Sequence, residues 1–136
     1  MTARYLVDKS ALARFPLKPV GDRLRPLLED GLVATCAIID LEVLYSARSA
    51  ADYETTLQER RALPDAPITP EVLNAALDTQ HQLARRGQHR LPIPDLIIAA
   101  AAEAADLAVL HYDADFERIA TITGQTQEWV VPRGSI

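Results

Sequence analysis

"LAVLHYDADFERI" (residues 107–119) decides the fold, because a short apolar run ends at two carboxylates, Asp113 and Asp115, and passes directly into a helical pattern. Residues 108–112 have the length and polar bounds of a buried strand. The same device opens the chain: Tyr5, Leu6 and Val7 run straight into Asp8, and "KSALARF" behind it is fit to start a helix. Working outward, "LVATC" (32–36) gives a third strand behind a turn at Gly31, "DAPIT" (65–69) at best a short fourth, and "QEWVV" (127–131) a fifth. Helical patterns separate them, at roughly 19–30, 37–49, 51–63, 70–86, 94–106 and 113–123. Residues 69–87 carry the clearest boundaries, with Thr69 as N-cap, Pro70 in the first position, Glu71 in the first turn and Gly87 past the end. Strands alternating with helices predict an α/β sandwich, a central parallel sheet of four to five strands flanked by helices, in one domain over residues 1–136. Ligands in such sheets sit at the carboxyl ends of strands, where Asp8 and Asp113 fall.

Composition narrows the functional classes. The 136 residues are 49% hydrophobic and 24% charged, and no apolar run is long enough to span a bilayer. The most apolar stretch, residues 91–110, is interrupted by Asp95, Glu103 and Asp106 and reads as a buried helix leading into a strand. The N-terminus lacks the pattern of an export signal, so a cytoplasmic location is the expectation. The single cysteine, Cys36, lies in an apolar context and reads as a small core residue. A net charge of −5 argues against a general nucleic-acid binder, though not against an enzyme whose acidic centre holds cations.

The acids themselves have ordinary explanations that must be weighed. Asp8 is well placed as an N-cap, and so is Ser10. Asp95 opens the nearly all-apolar helix "PDLIIAAAAEAADL", where a first-turn acid answers free N–H groups and the helix dipole. One of Asp113 and Asp115 can cap the following helix, but capping does not need both. Glu42 is harder to dismiss. It shares a helical stripe with Ile38, Tyr45 and Ser49, and burying an unpaired carboxylate costs several kcal/mol. It either reaches solvent at the stripe's edge or has a cation. Asp40, on another face, is assigned to solvent or a salt bridge, and Glu103 to water.

Four acids from separated segments cannot all stay charged around one point without a cation. Oxygen ligands with no fitting Cys or His spacing point to Mg²⁺ or Mn²⁺ held by Asp8, Asp95 and Asp113, with Asp115 as a further ligand or a water-orienting group. Such a cage suits phosphoryl chemistry. Ser10 can donate to a carboxylate or a phosphate, and Lys9 either touches substrate or is solvated.

The segments "YLVDKSAL", "IDLEVLYSA", "IPDLIIAAAAE" and "VLHYDADFERIA", in this order and spacing, resemble the PIN-domain ribonucleases, and more closely the VapC-type toxins of bacterial toxin–antitoxin pairs. The resemblance covers nearly the whole chain. It implies a PIN-like three-layer sandwich, a Mg²⁺- or Mn²⁺-dependent endonuclease acting on RNA, and neutralisation by a VapB-like antitoxin. It places the family's four acids on Asp8, Glu42, Asp95 and Asp113, an additional acid on Asp115 and the small hydroxyl on Ser10. Lys9 departs from the Thr of many relatives. A homodimer is implied as well, for which Leu28, Leu32, Leu41 and Leu44 offer apolar surface at a seam or in the core.

"ARRGQHR" (84–90) supplies Arg85, Arg86 and Arg90 either as contacts to an RNA backbone or as a solvated helix end. His81, His89 and His111 are too dispersed for a zinc site, although His111 lies two residues before Asp113. Trp129 reads as an edge-strand packing residue. Two other classes compete with the nuclease. A phospho-accepting receiver needs paired acids after the first strand, which "VDKS" lacks. A PIN-like module kept for protein interaction has no use for four buried acids.

Overall fold

The structure, a computed structural model, describes residues 2–136. Strands β1 (Tyr5–Val7), β2 (Val33–Ala34), β3 (Ala108–His111) and β4 (Gln127–Trp129) form one sheet in the order β2-β1-β3-β4. Every pairing is parallel, with Tyr5 opposite both Val33 and Ala108, and His111 opposite Trp129. The connecting helices are α1 (Lys9–Leu12), α2 (Lys18–Glu29), α3 (Ala37–Tyr45), α4 (Ala50–Arg61), α5 (Pro70–Ala84), α6 (Ile93–Ala104) and α7 (Asp115–Thr123).

The period-two alternation of the strands builds the layers. Leu6, Ala34 and Val109 face a core with Leu83, Ile98, Ala99, Phe116 and Ile119 from α5, α6 and α7. Val7, Val33 and Leu110 point the other way, into a second core with Ala11, Val20 and Leu24 from α1 and α2. A parallel sheet buried on both faces reads as continuous apolar runs, which is how β1 and β3 appear. Cys36 belongs to the first core, where burial raises its thiol pKa.

Several boundaries depart from the sequence-based expectation for identifiable reasons. Residues 65–69 contribute one parallel bridge, Thr35 to Asp65, in place of a strand. Ala66 N–H donates to Thr35 O at 2.7 Å, but Pro67 follows and has no N–H with which to continue the ladder. The third helix stops at Tyr45, and a new one begins where the Ser49 hydroxyl accepts from Asp52 N–H at 3.0 Å. Leu44 is core, Leu28 and Leu32 are half-buried, and Leu41 alone of that set is well exposed, at 63%. Asp40 forms a salt bridge with Arg60, and Glu103 faces solvent.

The connections set the position of the site. From β1 the chain moves to β2 on one side, and from β3 to β4 on the other. The chain therefore diverges between β1 and β3, leaving a crevice beyond their carboxyl ends. Asp8 and Asp113 stand at that crevice.

Candidate active site

Asp8 follows β1 directly and is 4% exposed. Its N–H donates to Leu110 O at 2.9 Å, which ties the end of β1 to β3. Its Oδ2 accepts from Ser10 N–H at 3.0 Å, so Asp8 does cap α1, using one of its two oxygens. The Ser10 hydroxyl accepts from Tyr112 N–H at 2.9 Å and retains its own proton to donate. One side chain thus fixes the loops behind both central strands.

Asp95 sits in the first turn of α6 and is 7% exposed. Among the described residues, its Oδ2 is the one buried side-chain oxygen or nitrogen without a hydrogen-bond partner. Burial, followed by the charges of Asp8, Asp113, Asp115 and Glu42, pushes its pKa up to about 8. Four acids therefore act on a fifth.

Asp113 is held from two sides. Its N–H donates to His111 Nδ1 at 3.1 Å, and its Oδ1 accepts from Asp115 N–H at 2.9 Å, a local turn that delays the start of α7 to Asp115. His111 is fully buried, and its Nε2 lies 2.6 Å from Gln127 Oε1. An Nδ1 that accepts must carry no proton, so the ring is the neutral Nε2–H tautomer donating to Gln127. Burial lowers the His111 pKa in agreement, against the opposing influence of Gln127 and of Asp8.

Asp95, Asp113 and Asp115 each offer an oxygen within 4.8 Å of the other two. Of the four expected metal ligands the structure therefore groups three. Asp8 lies outside that group, with one oxygen turned back to Ser10, yet its charge is the largest acting on Asp95. Glu42, on α3, is half-buried, and its pKa is raised by burial and by Asp8 while Lys9 opposes the shift. Lys9 is half-exposed in a shallow depression with Leu41, Glu42 and Tyr45.

Arg85, Arg86 and Arg90 are all exposed, and Arg86 Nη1 lies 3.5 Å from the Thr121 hydroxyl. Arg118 is a site neighbour that sequence reasoning passed over: its Nη1 donates to Asp115 Oδ1 at 2.8 Å. The signal was present in the i, i+3 spacing of Asp115 and Arg118 on one helix face. Trp129 packs against His111 and Tyr112, with ring centroids at 5.0 and 5.2 Å.

Known proteins resemble this chain in sequence and in fold. The family described as PIN domain matches residues 5–122. Ribonuclease VapC21 of Mycobacterium tuberculosis is 51% identical over 137 residues, covering 99% of each chain. Ribonuclease VapC51 of the same organism is 43% identical over 136 residues, covering 100% of this chain and 99% of the relative. In three dimensions, a crystal structure of VapBC2 from Rickettsia felis, bound to a DNA fragment from its promoter, superposes with a TM-score of 0.74 at 17% identity, covering 95% of this chain and 98% of that one. The fold, the acids at the crevice and the full-length relatives agree: this chain belongs to the PIN-domain family and, within it, to the VapC ribonucleases.

Proposed function

We propose that this chain, as one PIN domain over residues 1–136, is a Mg²⁺- or Mn²⁺-dependent endoribonuclease that hydrolyses RNA phosphodiester bonds as the toxin of a toxin–antitoxin pair in the cytoplasm. The observation that carries it is the Asp95 carboxylate, buried with an unpartnered Oδ2 beside Asp113 and Asp115. Carboxylate oxygens alone are the donor set that hard divalent cations prefer. Asp95, Asp113 and Asp115 would hold the ion, with Asp8 closing the site.

When bound, such an ion polarises the scissile phosphate and lowers the pKa of water. The chain's own residues do the rest. The Ser10 O–H donates to a phosphate oxygen or to Asp8. Glu42, held above its ordinary pKa, accepts a proton from the attacking water. His111 fixes Asp113 through its backbone N–H, and Arg85, Arg86, Arg90 and Lys9 draw in the polyanion.

A VapB-like antitoxin is the partner this reading implies. Without its ion the acidic cluster attracts an Arg or Lys side chain, and exposed Leu41 and Tyr45 beside Glu42 offer that partner apolar surface. For a homodimer, the groove between α5 and α6, rimmed by exposed Leu73, Leu77 and Ile93, is the better seam than the leucines the sequence suggested.

The deciding experiment is cleavage of total and synthetic single-stranded RNA by the purified chain in Mg²⁺, Mn²⁺ or EDTA, beside Asp8→Asn. Cutting that needs the cation and disappears in EDTA and in the variant is expected. Absence of cation binding by calorimetry would sink the reading and favour an interaction module. A second expectation concerns His111. His111→Phe keeps an aromatic ring against Phe116 but leaves Asp113 N–H without its acceptor. Cleavage and Mn²⁺ affinity should each fall by about tenfold or more, as when other groups that orient metal ligands are removed. Unchanged Mn²⁺ affinity would show that the imidazole does not position Asp113.

A further inference from the structure

We propose that Arg118 and Arg90 form a backbone-phosphate subsite for single-stranded RNA at the rim of the acidic cluster, an inference that rests on the ribonuclease reading. Gly87, at φ +69°, ends α5, and Gln88 N–H closes back onto Leu83 O at 2.9 Å, which fixes the turn. Residues 87–91 and Arg118 on α7 line a depression of about 380 Å³. Among the described residues no acid lines it, although the chain as a whole carries a net charge of −5.

The donors in this depression are available. Arg90 is exposed and, among the described residues, has no ion pair or side-chain hydrogen bond. Arg118 directs Nη1 at Asp115 while its side chain is 57% exposed, leaving most of its five N–H groups for an anion. Arg118 therefore touches both the acidic cluster and the cationic depression. A strand whose scissile phosphate lies at Asp95, Asp113 and Asp115 would place a neighbouring phosphate against Arg118 and Arg90. Guanidinium forks match phosphate oxygens, and contacts of this kind position a strand without reading its bases.

Arg118 also competes with any cation for Asp115 Oδ1, so removing it has two effects of opposite sign. The test uses Asp95→Asn protein, to prevent cutting, and a short, fluorescently labelled, mixed-sequence single-stranded RNA in Mg²⁺, followed by anisotropy across a salt series. Arg118→Gln and Arg90→Gln should each weaken binding about fivefold to tenfold at low salt and flatten the slope of log K against log salt by about 0.7. Arg61→Gln, which removes the same charge from α4, should do neither. In the otherwise native chain, Arg118→Gln should leave Mn²⁺ binding equal or tighter, an outcome that general loosening of the site would not give. Slopes indistinguishable from that of Arg61→Gln would overturn the subsite. So would failure of the Asp95→Asn parent to bind RNA; metal-dependent cutting by the native chain would then still leave the ribonuclease reading standing.

Discussion

Asp95→Asn should cut RNA at least about a thousandfold more slowly than the native chain and, in the absence of divalent cations, should be the more stable protein. Both effects come from one atom. Asp95 Oδ2 is buried without a partner, in a field made by Asp8, Asp113, Asp115 and Glu42, so the carboxylate is costly until a cation arrives. The amide removes the charge at nearly constant shape. The pH dependence gives the sign. The folded pKa of about 8 lies above the ordinary 3.8, so between these values the unfolded chain ionises while the folded chain keeps its proton. Stability of the cation-free native protein therefore falls as pH rises through that window and levels off above it. Thermal melts in EDTA should show a transition at slightly alkaline pH several degrees higher for Asp95→Asn than for the native chain, with the gap closing near pH 4. Adding Mn²⁺ should raise the native transition and not that of the variant. A native melting temperature insensitive to pH over this range, and unchanged by the amide, would mean that Asp95 is satisfied in some other way.

The backbone of this site was legible in the sequence because a strand followed at once by an acid leaves that acid little freedom. Tyr5–Val7 and Ala108–His111 are buried on both faces, so they read as uninterrupted apolar runs, and the first polar residue after each marks the carboxyl edge of the sheet. Asp8 and Asp113 were found that way, and Asp95 as the acid in the first turn of a nearly all-apolar helix. What stayed hidden depends on how side chains are shared. Asp8 looked equivalent to Asp113 as a ligand, yet its Oδ2 is drawn back to Ser10 N–H, a short-range contact that period and spacing do not resolve. The short strand expected at 65–69 failed because local backbone chemistry, Pro64 and Pro67 flanking Asp65 and Ala66, limited pairing to one bridge. The role of His111 emerged only from the fold, where Asp113 N–H donates to its Nδ1 and so fixes the tautomer that donates to Gln127. Leu44 and Leu41 are three apart on one helix, but α3 packs so that only the first is buried.

Arg60→Ala should destabilise the fold by about 2–4 kcal/mol, a larger stability loss than at any of the crevice acids. Arg60, on α4, is 8% exposed. Its Nε donates to Asp40 Oδ1 at 2.9 Å and its Nη2 to the Thr35 hydroxyl at 2.6 Å, while that hydroxyl donates to Asp40 Oδ1 at 2.8 Å. The three side chains join the end of β2 to α3 and α4. Truncation strands a carboxylate that is only 24% exposed and an almost fully buried hydroxyl. Urea unfolding of the native chain, Arg60→Ala, Arg60→Met and the double variant Arg60→Met with Asp40→Leu separates the contributions. The doubly apolar chain should recover most of the loss, because the penalty of a broken buried pair lies in the charge left behind. A loss under about 0.5 kcal/mol for Arg60→Ala would place this contact with ordinary surface ion pairs. The contrast with Asp95 is chemical. Arg60 has its hydrogen bonds answered inside the protein and so contributes to folding, whereas Asp95 keeps an unanswered oxygen at the crevice, which is what a ligand needs and a core does not.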